Sequence, residues 1–150
     1  MKTWLKMGIL TIVLGVLAFL SESNGPLGGF WAPNPDSPEA AGVQVPLFII
    51  LGLLEAFVSA WGVAFLLFGY PLVKAIEPAS HGLTRAAHIS IAWVLINWWS
   101  HDSLHQHVGF NLNGLLGIEY GYHVTLMFAG VIIAYFFWTI IRRGAAASKS

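Results

Sequence analysis

The sequence predicts an all-α fold, an integral membrane four-helix bundle with both termini on the cytoplasmic side. The first observation is composition: 57% of the 150 residues are hydrophobic and 9% are charged, whereas a soluble domain carries about 25% charged residues. The second is the grouping of apolar residues into four long runs. The third is the position of the basic residues near the ends of those runs. No linker or internal repeat divides the chain, so residues 1–150 are expected to form one membrane domain.

Four segments are long enough to cross a bilayer core, which needs about 20 mostly apolar residues in a helix. In lipid such segments must be helical, because each backbone polar group has to be satisfied within its own segment. We expect membrane helices at 4–20, 45–70, 83–100 (with an alternative end at 108) and 119–142. They leave outer loops at 21–42 and 101–118 and a cytoplasmic loop at 71–82.

The basic residues predict the direction of these helices. They lie before the first helix, between the second and third, and at the C-terminus: Lys2, Lys6, Lys74, Arg85, Arg142, Arg143 and Lys149. Segments 21–42 and 100–119 contain none. Cytoplasmic loops carry the excess of Lys and Arg, so both termini are expected in the cytoplasm. The plasma membrane is the expected location.

The first helix has two interpretations. Two lysines followed by an apolar run also describe a secretory signal peptide. The small-x-small cleavage pattern is missing, because Phe19, Leu20 and Ser21 precede Glu22. We therefore expect an uncleaved signal-anchor helix; cleavage would leave three spans without changing the later topology.

Four of the six histidines fall between positions 101 and 123. If the third helix continues to 108, His101 and His105 lie one turn apart on one face, and Asn97 extends that face. In the fourth helix Glu119 and His123 are also four residues apart. Because these two helices run in opposite directions, His101 and His123 are expected at a similar depth, on the extracytoplasmic side.

Neutral imidazoles and carboxylates are the ligands that Cu, Fe, Zn and Mn ions use in proteins. We therefore predict a transition-metal site; its candidate ligands are His101, Asp102, His105, His107, Glu119 and His123, with Asn97 orienting them. A b-type haem held by His101 and His123 is an alternative. In a third interpretation the histidines are interfacial residues that cap helices and bond lipid headgroups. The chain has no cysteine, which excludes thiolate sites, disulfides and covalent c-type haem.

Two more ionisable residues fall within predicted spans. Glu55 lies near the middle of the second, and His88 lies in the early turns of the third. Buried ionisable groups in membranes often mark proton or ion paths, so these two residues are candidates for a relay; hydrogen bonding between helices is the alternative.

No nucleotide or nucleophile motif is present, and the basic residues form no patch for nucleic acid. The sequence leaves open whether the chain is an enzyme. It predicts a metal site serving redox chemistry or metal capture, with a non-enzymatic accessory subunit or proton-conducting protein as the alternative. The expected partners are membrane lipid and either further copies of the chain or a larger membrane complex.

Overall fold

The computed structural model describes residues 2–23, 25–76 and 80–147; most of these residues are helical and none is in a strand. The helices are α1 (Thr3–Leu20), α2 (Gln44–Phe68), α3 (Tyr70–Ile76), α4 (His81–Val108), α5 (Leu112–Ile118) and α6 (Thr125–Ala147). A 3₁₀ turn at Gly28–Trp31 interrupts the loop between α1 and α2, and a π-helical segment at Glu119–Val124 joins α5 to α6 without a break. We call α5, the π-helical segment and α6 together the last helix.

Three helices are long and apolar enough to cross a membrane: α1, α2 and the last helix over Leu112–Ala146. Their surfaces carry many exposed large apolar side chains, among them Ile12, Met127 and Val131 at 60%, 71% and 68% exposure. Contiguous apolar surface of this extent is unusual on a protein in water. The structure is therefore consistent with a membrane protein.

The fourth long helix, α4, does not meet that apolar standard. It packs between α2 and the last helix and buries polar residues there: Thr84, His88, Ser90, Asn97 and Ser103. A helix flanked by two others can carry polar groups on its covered faces, because those groups are shielded from lipid. By hydropathy, α4 is not among the candidate spans.

The long helices pack in chain order and in alternating directions. α1 packs along α2, α2 along α4, and α4 along the last helix. Contacts that fix the antiparallel register include Trp4 with Trp61, Ser59 with Trp99, and Trp93 with Tyr122. A closed four-helix bundle also requires extensive packing of α1 on the last helix, which is not found among the described residues. The closed bundle is therefore not confirmed.

The alternating directions collect unlike residues at opposite ends of the molecule. Lys6 lies over the ring of Phe68, so the start of α1 is beside the end of α2. Near this end a core forms from Val73, Ala87 and Phe136. The described basic residues lie here, and we call it the basic end. His101, His105 and His123 lie at the other end, which we call the histidine end.

Segment 101–118, expected as a loop, is helical apart from three residues. α4 continues to Val108 and ends at Gly109, whose positive φ of 53° is readily adopted by glycine. α5 then starts at once, because the Asn111 side chain accepts a hydrogen bond from the Gly114 N–H (2.9 Å) and caps the new helix. The longer helices give the histidines rigid supports. At the basic end, α3 occupies much of the expected loop 71–82, of which residues 77–79 lie outside the described part of the chain.

Candidate metal centre

Three imidazole rings meet where α4 approaches the π-helical segment. The Nε2 atom of His101 lies 2.9 Å from Nε2 of His123 and 3.1 Å from Nε2 of His105. His101 and His105 are one turn apart on α4, and His123 faces them from the antiparallel neighbour. Within the described part of the chain this is the one group of three His, Asp or Glu residues whose ligand atoms all lie within 4.8 Å of each other.

Hydrogen bonding alone accounts poorly for this arrangement. An imidazole nitrogen has a single in-plane direction, which holds either a proton or a lone pair. Nε2 of His101 therefore cannot form good hydrogen bonds to both His105 and His123. A metal ion removes the conflict, because all three lone pairs can then point at one cation.

The hydrogen-bond partner of His123 determines which ring nitrogen of His123 carries the lone pair. Its Nδ1 atom lies 2.7 Å from Oε2 of Glu119. A carboxylate only accepts hydrogen bonds, so Nδ1 donates and the lone pair is on Nε2, the atom that faces His101. A carboxylate bound to the far nitrogen of an imidazole is the usual way in which proteins orient a metal-binding histidine.

The π-helical segment contains both members of this pair. In a π-helix the backbone bonds run from i to i+5, so each turn carries more residues than an α-helical turn. Glu119 and His123, four residues apart, consequently lie almost above each other. Such segments are frequent at functional sites, and this one directs His123 toward α4.

The distances suit one small ion. Nitrogens bound at 2.0–2.1 Å to one tetrahedral ion are about 3.3 Å apart, slightly more than the 2.9 and 3.1 Å found here. A haem held between His101 and His123 would need ring nitrogens about 4 Å apart, twice a metal–nitrogen bond of about 2 Å. The geometry therefore fits a single ion better than it fits a haem.

The other candidate ligands are turned elsewhere. Asp102 Oδ2 accepts a hydrogen bond from Gln106 Nε2 (2.9 Å). His107 Nδ1 lies 3.1 Å from the backbone oxygen of Ala32, in the loop between α1 and α2. Asn97 is buried, and its amide donates to the oxygens of Trp93 and Val94 in its own helix at 2.6 and 3.1 Å. None of these three side chains is hydrogen-bonded to a clustered imidazole in the described part of the chain, and Asp102 acts on His101 through its charge alone.

The structure does not bring Glu55 and His88 together. His88 is buried near the basic end, with Nε2 3.0 Å from the backbone oxygen of Phe65. Glu55 precedes Phe65 by ten residues, about 15 Å along the helix at 1.5 Å per residue. Glu55 instead lies toward the histidine end, within electrostatic range of Asp102 and Glu22.

Glu22 is a further acidic residue of this region that the sequence did not single out. It follows α1, and its carboxylate lies where a side chain on Gly52 of α2 would be. Burial, together with the charge of Asp102, raises the pKa of Glu22 from 4.5 to about 7. The position of Glu22 directly after an apolar helix could have drawn attention to it in the sequence. Its contact with α2 could not have been predicted, because that contact depends on the fold of the loop.

One aromatic ring borders the histidines, and a second ring stacks on it. Tyr122, expected only as an interface anchor, has its ring centroid 5.3 Å from that of His101 and stacks on Trp93 at 5.9 Å. The indole N–H of Trp93 donates to Oγ1 of Thr125 (2.9 Å), which fixes the pair between α4 and α6. These rings cover the side of the site that faces the body of the molecule.

No family model, curated protein or solved structure significantly matches this chain. The functional argument therefore rests on the arrangement of the side chains.

Proposed function

We propose that this chain is a multi-pass membrane protein that binds one transition-metal ion through Nε2 of His101, His105 and His123. The observation that carries the proposal is the convergence of three imidazole nitrogens within hydrogen-bonding distance, in a pattern that hydrogen bonds cannot satisfy. The Glu119 carboxylate on His123 supports it independently. Glu119 orients a ligand in this proposal and is not itself a ligand.

The donor set indicates what the ion does. Structural zinc sites are closed by four protein ligands, whereas catalytic sites use three and leave a position for water or substrate. Three imidazoles, all half-buried, form an open site of the second kind. Such a site serves redox chemistry on a membrane-soluble substrate when it holds Cu, Fe or Mn, and capture of a metal for delivery when the ion exchanges readily. Nitrogen donors without sulfur favour Zn, Cu, Fe or Ni.

Charge supports an orientation for the site. The described basic residues lie at the end opposite the histidines, and Lys and Arg are enriched on the cytoplasmic side. We propose that α4 is a fourth span, covered by its neighbours, and that the histidine end faces the extracytoplasmic side of the plasma membrane. Lipid would cover the exposed apolar faces of α1 and the last helix, or further subunits would cover part of them.

Metal analysis of matched variants tests the proposal. The purified protein is stripped with a chelator, reloaded with Zn²⁺ or Cu²⁺, washed and analysed for metal. We expect about one ion per chain in the parent protein and a large loss in His101→Ala, His105→Ala and His123→Ala. His107→Ala is the matched control, because its ring bonds Ala32 instead, and it should retain the metal. Equal metal content in all five proteins would refute the site, and an intense Soret band would favour haem.

A further inference from the structure

We propose that Gln106 is a positioning residue, through which the loop between α1 and α2 holds the last turn of α4 and, with it, His105. This role rests on the metal site proposed above. It assigns loop 21–43, which contributes no ligand, the task of holding a ligand in place.

α4 is longer than a membrane crossing requires. Its 28 residues span about 42 Å at 1.5 Å per residue, against about 30 Å for a bilayer core. The surplus is at least two turns. The last four carbonyl groups of a helix have no partner within it, so a helix end frays readily unless other groups bind these oxygens.

Loop 21–43 supplies that binding at Gln106. The backbone oxygen of Gln106 accepts hydrogen bonds from the Asn34 N–H (2.9 Å) and from the Ser37 hydroxyl (2.8 Å). Its side-chain oxygen accepts a hydrogen bond from the Ser23 hydroxyl, and its Nε2 atom donates to Asp102 Oδ2 (2.9 Å). One residue thus joins the start and the middle of the loop to the last two turns of α4.

Neighbouring contacts reinforce the same attachment. Trp31 of the loop packs edge-on against the ring of Trp99. The exposed His107 ring lies at the edge of this contact, near Trp31 and the Ala32 oxygen, and the four Gln106 bonds do not depend on it. Gly109, which ends α4, lies close to the Asn34 side chain. The loop is therefore seated on α4 from Trp99 to Gly109.

His105 is the ligand that depends on this attachment. It belongs to the last turn of α4, whereas His101 is one turn further into the packed part of the helix. If the last turn unwinds, His105 leaves the site while His101 and His123 stay. Loss of the Gln106 side chain removes its bonds to Ser23 and Asp102 and should therefore convert a three-imidazole site toward a two-imidazole site.

Co²⁺ titration of the detergent-purified protein tests this, because tetrahedral Co²⁺ has absorption bands that depend on its ligands. We expect Gln106→Leu to bind Co²⁺ about tenfold or more weakly, the range typical of lost ligand-orienting contacts. Its spectrum should shift toward that of His105→Ala. The matched control is Gln44→Leu, which removes a glutamine bond to the Ala41 N–H of the same loop and no bond to α4. Gln44→Leu should bind Co²⁺ as the parent does. The thermal midpoints of Gln44→Leu and Gln106→Leu should be similar to each other.

The outcomes separate the two proposals. A parent protein that binds no Co²⁺ overturns the metal site and this inference with it. A parent that binds Co²⁺, together with a Gln106→Leu variant of equal affinity and unchanged spectrum, overturns the inference alone. If Gln106→Leu does not fold, Ser37→Ala is the second variant. It removes one of the two loop bonds to the Gln106 backbone oxygen and should weaken Co²⁺ binding by a smaller factor; unchanged binding there also overturns the inference. Without metal, the backbone amides of residues 105–109 should exchange hydrogen faster in Gln106→Leu than in the parent, because the last turn of α4 is less firmly held.

Discussion

Single side chains decide the chemistry of the histidine end, and spacing predicted some of them better than others. His101 with His105, and Glu119 with His123, are pairs four residues apart on helices, so local geometry placed them correctly on common faces. Asp102 and His107 belong to the same stretch of sequence but turn away. Asp102 bonds Gln106, four residues later on its own helix. The direction of His107 depends on the backbone of a loop 75 residues earlier, and no local pattern contains that contact.

The raised pKa of Glu22 predicts that the stability of the protein depends on pH. Its carboxyl group ionises near pH 7 in the folded protein and near 4.5 when exposed, so between these values the folded state binds more protons than the unfolded state. Stability should therefore fall as pH rises from about 4.5 to 7. Glu22→Gln should weaken this dependence and raise the thermal midpoint at pH 8 more than at pH 4.5. The measurement is thermal unfolding in detergent with a chelator present.

Glu39→Gln is the control for that experiment, because Glu39 is exposed in the same loop. It should follow the pH profile of the parent. Parallel profiles for the parent and Glu22→Gln would show that the Glu22 carboxyl is not held in the environment described here.

At the scale of elements, the helices were predictable and their packing was only partly so. Apolar runs located α1, α2 and the last helix because lipid-facing helices need apolar side chains all round. α4 carries polar residues that its neighbours cover, so its role depends on packing that one sequence does not specify. The π-helical segment Glu119–Val124 was not predicted either, because its extra residue per turn has no local sequence signature.

Close packing of α2 on α4 depends on Gly62. A Cβ atom there would lie 2.7 Å from the backbone nitrogen of Ile96 and from Cβ of Leu95, so Gly62→Ala must push the helices apart. We expect a destabilisation of about 1–3 kcal/mol, measured by reversible unfolding in mixed micelles. The control is Gly130→Ala, where a Cβ meets nothing within 4 Å; it should be neutral or slightly stabilising. Equal effects of both changes would contradict the α2–α4 contact.

For the whole molecule, alternating helix directions separate the basic end from the histidine end. The sequence predicted this separation because the basic residues avoid segments 21–42 and 100–119. It did not predict that the long helices pack in chain order, which depends on side-chain fit along each pair.

Because the chain has no cysteine, single cysteines can map its topology without background. In intact cells an impermeant thiol reagent should label Glu39→Cys and Asn113→Cys, whereas Ala146→Cys should react only after the membrane is opened. Asn113 and Ala146 lie near opposite ends of the last helix, so this pair tests whether that helix crosses the membrane. Glu39 with Asn113 tests whether α2 and α4 cross it together. Labelling of Ala146→Cys in intact cells would contradict the proposed orientation.

The central claim is that three imidazoles bind one ion, and X-ray absorption at the metal edge of the purified, metal-loaded protein tests it most directly. The account predicts imidazole scattering from three ligands with metal–nitrogen distances of about 2.0–2.1 Å, falling to two imidazoles in His105→Ala and remaining at three in His107→Ala. A spectrum without imidazole scattering, or one that His105→Ala leaves unchanged, would contradict it.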